Sequence, residues 1–415
     1  LPSCEQQDTS WDSQPVRQSG RWRIMSNVCT IQDVFHRFYP SYENSHDISP
    51  AQRKTAYHIM NCKTGAFGAN VSVCEDCGCI SIHYNSCRNR CCPMCQEFPK
   101  EKWVDARRED ILDAPYFHVV FTVPEELNPV IYSNQKLLYT ALYHAASDTL
   151  SELAADNKYL GADIGYICIL HTWGSAMNFH PHIHAIVLGG GLDIKNHWKD
   201  NGEDFFLPVK VISKIFRGKY MTELKQLWED HKLEFHGSAS PYKNYYTFKE
   251  LLNTCYTKEW VPYCKKPFDG AESVIRYLGK YTHRIAISNY RIKGMTESTV
   301  TFSAKDYKNQ GLWKEITLSG EEFIRRFLMH VPPKRFVRIR HYGLLSSRNK
   351  KKKITLCRNI LGCKKYISKL KDMDAPAIIQ LLYNKDIYKC SSCGGKILPL
   401  SHGQYHVTPK PHMIC

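Results

Sequence analysis

The chain has 415 residues, enough for two or three domains with separate cores, and its 43% hydrophobic and 23% charged content is that of an ordinary globular protein. No apolar run approaches the roughly 20 residues that cross a bilayer, and nothing near the start has the layout of a secretory signal; both argue against a membrane or exported protein and for a cytosolic one. The 56 Lys and Arg outnumber the 40 Asp and Glu, and the net charge of +16 suggests a polyanionic partner.

Residues 1–27 are polar and aperiodic, with Leu1 at the start and the first methionine at Met25, and are expected to be a leader outside the fold. Between about 28 and 60, Ile31, Val34, Phe35 and Phe38 recur at helical spacing, and Ala51 to Met60 predicts a second short helix. Residues 62–95 hold eight of the 18 cysteines and are too loop-like to bury much core without a staple. Helical pattern resumes from Trp103 to Leu112. Tyr116 to Val123 is β-branched and aromatic and predicts a buried strand, and residues 132–155 predict a helix with Leu137, Leu138, Leu142 and Ala145 along one stripe.

Gly165 to Trp173 and His180 to Leu188 read as a strand hairpin ended by Gly189, Gly190 and Gly191. Residues 192–265 are polar and mixed, with a helix expected at Lys219–Phe235, and resemble an insertion. Ala271 to Thr282 predicts a helix, Ile285–Ile292 and Ser298–Ser303 strands, and Glu321–His330 a helix. Strands interspersed with helices, at least one pair of them antiparallel, predict an α+β fold. The domains expected are a zinc-binding, DNA-contacting unit at 28–100, a main domain at 108–345 and a basic, cysteine-containing C-terminal tail at 346–415.

Three constellations carry chemistry. Cys74 and Cys77 form one CxxC pair, and Cys92 and Cys95 another 15 residues beyond Cys77. Two such knuckles make a tetrahedral thiolate site for structural Zn²⁺. Cys62, His83, Cys87 and Cys91 are left over as a second site or as alternates. Cys390 and Cys393 are half a site, for which Cys357 and Cys363 are the candidate second half. Arg88, Arg90 and Lys100 flank the first cysteines as DNA contacts or as a solvated surface. Residues 334–365, which include Lys334, Arg335, Arg338 and Arg340, carry twelve Lys or Arg and no acid, a nucleic-acid footprint or a disordered tail.

The second constellation is His180-Pro181-His182-Ile183-His184. Alternate side chains of a strand share a face, so His182 and His184 point together, two-thirds of a divalent-cation site that would polarise a phosphodiester oxygen. The third is Tyr277-x3-Tyr281, whose phenols share a helix face, with Lys280 close to Tyr277. Alone, the tyrosines read equally as a core stripe. Together with the metal pair they supply a nucleophile that becomes joined to DNA, conserving the energy of the broken bond, so that religation needs no ATP. No GxxxxGK[ST] motif is present.

These stretches resemble the rolling-circle transposases of the insertion sequence 91 type. His171 to Leu192 is similar to their HUH motif, and Tyr277 to Arg291 to their tyrosine motif. Asn85 to Gln96 is similar to their zinc-binding domain, and Phe323–Leu328 and Phe336–Leu345 to the stretch that follows. The resemblance implies an HUH endonuclease core, a central antiparallel sheet flanked by helices, in a bacterial cytoplasmic protein that acts at the nucleoid. It implies Mg²⁺ or Mn²⁺ at His182 and His184; it does not fix a third ligand, for which His180 and Glu272 are the candidates. It also implies cleavage of single-stranded DNA by Tyr277 or Tyr281, leaving a 5′-phosphotyrosine and a 3′-hydroxyl, with double-stranded DNA met at element ends and targets. Lys280 stands in the YxxK spacing of related replication initiators, which favours Tyr277 as the first nucleophile. The same chemistry would serve a replication initiator or relaxase. A zinc-dependent DNA-binding protein without catalysis is the alternative from another class.

Overall fold

The computed structural model describes residues 29–201, 207–260, 263–265, 273–275, 277–279, 286–306, 309 and 311–400. The leader 1–27, Glu272, Lys280 and Tyr281 therefore lie outside the described residues. The chain runs through α1 (Ile31–Ser45), α2 (Pro50–Met60), β1 (Ala69–Cys74), β2 (Ile80–Tyr84), α3 (Glu97–Arg108), β3 (Tyr116–Thr122), α4 (Asn128–Ser133) and α5 (Gln135–Ala155). It continues with β4 (Asp163–Trp173), β5 (Phe179–Leu192), β6 (Trp198–Asp200), α6 (Val209–Glu229), α7 (Tyr245–Thr257) and β7 (Tyr263–Lys265). Helical residues 273–275 and 277–279 form α8. The remainder is β8 (Ile292–Met295), β9 (Thr299–Asp306), β10 (Leu312–Ser319), α9 (Gly320–Met329), β11 (Ile339–Gly343), α10 (Lys350–Leu361), α11 (Ala375–Tyr383) and β12 (Ile397–Pro399).

The fold is α+β, and every strand pairing among the described residues is antiparallel. The central sheet has the order β11-β4-β5-β3-β7, with β6 added along β5. Its three inner strands, β4, β5 and β3, are buried on both sides, which is why they read as continuous apolar runs rather than as alternation. One face sends Val119, Phe121, Cys168, Leu170, Ile183, Ala185 and Val187 into a core with α5, α6 and α7. The other sends Tyr116, Ile167, Ile169, Ile186 and Leu188 against Val274 and Leu278 of α8 and Ile354 and Cys357 of α10. Candidate chemistry lies at the end of this second face.

A second core joins α1 and α2 to α9 and the small sheet β10-β9-β8. Reciprocal capping boxes start both amino-terminal helices, Thr30 with Asp33 and Ser49 with Gln52. Ser319 caps α9, whose Phe327 ring meets Phe35 edge-on at 5.1 Å. No described helix is long and apolar enough to cross a membrane.

Several local expectations need correction. The triple glycine does not end β5. It lies inside the strand, which continues to Leu192. A Cβ at Gly190 would lie 2.4 Å from the Trp198 ring, and one at Gly191 2.4 Å from the Asp163 carbonyl oxygen, so close strand approach demands glycine there. Residues 286–291 are a turn ending in a 3-10 segment rather than a strand, and β8 begins only at Ile292. Within 192–265, Phe216, Tyr220, Leu224, Phe248 and Trp260 are built into the largest core, so the described part of that stretch is a structural layer. The described residues 346–400 are likewise packed against the rest of the chain rather than a free tail. Lys350 and Lys353 of α10 pair with Asp110 and Asp163, and Asp105 of α3 accepts hydrogen bonds from Tyr366 at 2.6 Å and the Leu370 amide at 2.9 Å.

Candidate active site

Strand β5 lies between β4 and β3, with His182 opposite His171 and Thr122, and His184 opposite Ile169 and Val120. Opposed residues share a face, so the register brings His171, His182 and His184 together. One ring nitrogen from each lies within 4.8 Å of the others. His171 is the third converging histidine, which reading the sequence missed. His180 sits on the same face, but its ring nitrogens stay outside the convergence. Its contribution is the backbone carbonyl, 2.6 Å from Nδ1 of His182.

All three rings are buried, and burial pushes His182 and His184 well below the usual histidine range, helped by the neighbouring imidazoles. They are therefore neutral at physiological pH, the form that binds metals. A carbonyl at Nδ1 of His182 fixes the hydrogen there and leaves the Nε2 lone pair facing inward. The Nε2 atoms of His182 and His184 are 3.0 Å apart. Inward lone pairs on neutral imidazoles are a donor set that fits a divalent cation.

The outer nitrogen of His184 meets the tyrosine. The Tyr277 hydroxyl on α8 is 2.9 Å from Nδ1 of His184 and 2.8 Å from Nε2 of His118 on β3. Nε2 of His118 is itself 2.8 Å from Nδ1 of His184. The assignment that keeps the inward lone pair of His184 has its Nδ1–H donating to the phenol oxygen, and the phenol O–H donating to His118. His118 was invisible as a site residue because β3 reads as continuous core.

The cysteines do not group as their spacing predicts. Cys74 and Cys77 do not converge with Cys92 and Cys95. Cys92 and Cys95 join Cys62 and Cys87, all four sulfurs within 4.8 Å of one another, with Cys87 and Cys95 3.8 Å apart. These four come from the end of α2 and the loop before α3 and are suited to zinc. Cys91 points elsewhere, buried with its thiol pushed up by burial, near Arg90 and Arg338. His83 joins neither group; its Nε2 is 3.0 Å from the Ser81 hydroxyl. Cys74 and Cys77 lie against Cys390 and Cys393 instead, and Cys357 packs under the central sheet, away from them.

The basic residues divide in the same way. Arg88, Lys334 and Arg335 are exposed. Arg90 donates to the carbonyls of Phe336 at 2.5 Å and Pro333 at 3.1 Å, so its guanidinium also holds the linker before β11. Arg340 stacks 4.1 Å over the Tyr143 ring, and Arg338 is half-buried against Cys91, where burial lowers its pKa.

An antiparallel sheet carrying His-hydrophobic-His, with a helix-borne tyrosine against it, defines an HUH-type core. Residues 165–353 match the family described as "Putative transposase", and residues 34–123 match "Transposase zinc-binding domain", a domain of the insertion sequence IS91 type. The chain is 41% identical over 334 residues to "Putative transposase y4qJ" of Sinorhizobium fredii (strain NBRC 101917 / NGR234), covering 80% of this chain and 84% of that one. It is 26% identical over 363 residues to "Transposase for insertion sequence element IS801" of Pseudomonas savastanoi pv. phaseolicola, covering 83% and 82%. Among solved structures, the conjugative relaxase TrwC in complex with OriT DNA is similar at 14% identity. One metal-bound form has a TM-score of 0.23 over 27% of this chain and 44% of that one, and a copper-bound form 0.24 over 48% and 69%. That likeness is slight. The chain belongs to the IS91-type transposase family.

Proposed function

We propose that this transposase nicks one DNA strand with Tyr277 and rejoins it elsewhere, through a 5′-phosphotyrosine, in rolling-circle transposition. The observation that carries the reading is the Tyr277 hydroxyl 2.9 Å from the outer nitrogen of His184, whose inner nitrogen faces His182. His171, His182 and His184 would hold Mg²⁺ or Mn²⁺, and such an ion supplies Lewis-acid polarisation of the scissile phosphate.

The chain's own residues set up the attack. Donation from Nδ1–H of His184 stabilises negative charge on the phenol oxygen as it forms a bond to phosphorus. His118 Nε2 is placed to hold the proton that leaves. The bond from phosphorus to the 3′ oxygen breaks, and that oxygen takes up a proton to become the free 3′-hydroxyl. Religation runs the same steps backward onto a new 3′-hydroxyl, with the bond energy kept in the phosphotyrosine. Tyr281 would serve the second strand transfer, and Lys280 would contact phosphate. Arg88, Lys334 and Arg335 would contact the DNA backbone, whose charge the net +16 complements. Single-stranded DNA is the substrate favoured, because a phosphodiester must reach a buried sheet end between α8 and β5. Zn²⁺ on Cys62, Cys87, Cys92 and Cys95 would staple the amino-terminal unit.

The experiment is incubation with single-stranded oligonucleotides from the element's end and Mg²⁺, scored for strand cleavage. Cleavage that survives joint alanine substitution of His182 and His184 would overturn the metal reading.

A further inference from the structure

Two distant stretches of the chain meet in a small sheet. Strand β12 pairs with β1, Ser72 opposite Pro399 and Cys74 opposite Ile397, and β1 pairs with β2. At the same end of this sheet lie two turns of the same build. In one, the Cys74 carbonyl accepts from the Gly78 amide at 3.0 Å, and the Cys74 amide donates to the Cys79 carbonyl at 2.9 Å. In the other, the Cys390 carbonyl accepts from the Gly394 amide at 2.9 Å, and the Cys390 amide donates to the Gly395 carbonyl at 2.7 Å. Each turn passes through a glycine in the left-handed region, φ +68° at Gly78 and +77° at Gly394. In the second, the Gly395 amide also points at Sγ of Cys393, at 3.4 Å.

These are two CxxCG knuckles, contributed from stretches more than 300 residues apart. Sγ of Cys74 is 3.5 Å from that of Cys393, and Sγ of Cys77 is 3.7 Å from that of Cys390. All four sulfurs lie within 4.8 Å of one another. Thiolates about 2.3 Å from a zinc ion stand about 3.8 Å apart along the edge of a tetrahedron. Bonded sulfurs would be about 2.05 Å apart. The observed separations fit the tetrahedron, and amide hydrogens aimed at the knuckles favour thiolate over thiol.

We propose that Cys74, Cys77, Cys390 and Cys393 bind one structural Zn²⁺, separate from the ion on Cys62, Cys87, Cys92 and Cys95, and that this ion clasps the carboxy-terminal segment to the amino-terminal unit. The zinc ribbon is thus split across the chain. The amino-terminal half of it, taken alone, is an incomplete site, and everything between the knuckles, including the histidines and Tyr277, lies in a loop that the metal closes. The proposal is independent of the nicking reading, since its test reads metal and not activity.

The test is the zinc content of the full chain, freed of loose metal by gel filtration and measured by plasma mass spectrometry. Two ions per chain are expected, falling to one in Cys390→Ser with Cys393→Ser and equally in Cys74→Ser with Cys77→Ser. Retention of the wild-type count by the Cys390/Cys393 variant would overturn the proposal. Should the variants fail to fold, alkylation of the unaltered chain with N-ethylmaleimide decides. Cys74, Cys77, Cys390 and Cys393 should be protected together and exposed together by a chelator. Alkylation of Cys390 and Cys393 while Cys74 and Cys77 stay protected contradicts the shared site, as does a disulfide mapped between any two of these four cysteines.

Discussion

The Tyr277 hydroxyl lies 2.9 Å from Nδ1 of His184, so the phenol and the proposed metal share one imidazole between them. That arrangement couples the position of the proposed nucleophile to the sheet register. Strand β5 fixes His184, β3 fixes His118, and α8 delivers the phenol to both.

The proposed third ligand gives the first prediction. His171→Ala should weaken Mn²⁺ binding more than tenfold and abolish cleavage while sparing DNA binding. His180→Ala should have a much smaller effect, because the carbonyl that orients His182 survives it. Isothermal titration with Mn²⁺ on both variants separates the two. Equal losses would remove His171 from its assigned role.

His118 gives the second. Its ring touches the phenol but is not one of the three converging histidines. His118→Ala should slow cleavage about 100-fold, within the range for loss of a positioned proton acceptor, with Mn²⁺ affinity and DNA affinity little changed. Single-turnover cleavage at saturating protein makes the measurement, and an unaltered rate would exclude the role.

Stability against pH gives the third. His330 is 2% exposed, with Nδ1 3.1 Å from the Thr172 hydroxyl and Nε2 3.1 Å from the Met177 carbonyl. Burial lowers its pKa to about 4. The unfolded chain takes up the proton near pH 6.5 and the folded one does not. Its stabilising contribution is therefore present above pH about 6.5 and is lost as the pH falls toward about 4, by at most about 1.4 kcal/mol per unit. Urea midpoints should drop from pH 7 to pH 5, less steeply in His330→Gln.

Strand approach at the triple glycine gives the fourth. Gly191→Ala would set a Cβ 2.4 Å from the Asp163 carbonyl oxygen, a backbone atom that cannot step aside alone. A loss of about 1–3 kcal/mol is expected, read as a lowered urea midpoint. Gly218→Ala, with nothing within 4 Å of its Cβ, should not lose stability.

The α+β class, the β4–β5 hairpin and the histidine pair were legible because period-two placement of His182 and His184 is a local property. His171 was not. Trp173 pairs with Phe179, and plain counting from there sets His171 opposite Pro181, on the wrong face. A register shift between residues 171 and 173 puts it opposite His182 instead. Cysteine spacing misled for the opposite reason. The knuckle at Cys74 finds its partner more than 300 residues away, through β12, and no local pattern carries that. Strand β10 escaped because its Leu312, Trp313, Lys314 and Glu315 are all exposed, which erases alternation.

The most direct test of the account is the covalent adduct. Labelled single-stranded DNA from the element's end is incubated with the protein and Mg²⁺, and SDS-resistant protein–DNA species are digested and mapped by mass spectrometry. The account predicts a 5′-phosphotyrosine on the Tyr277 peptide, absent from Tyr277→Phe and absent without a divalent cation. An adduct undiminished in Tyr277→Phe, or mapped first to another residue, would contradict it.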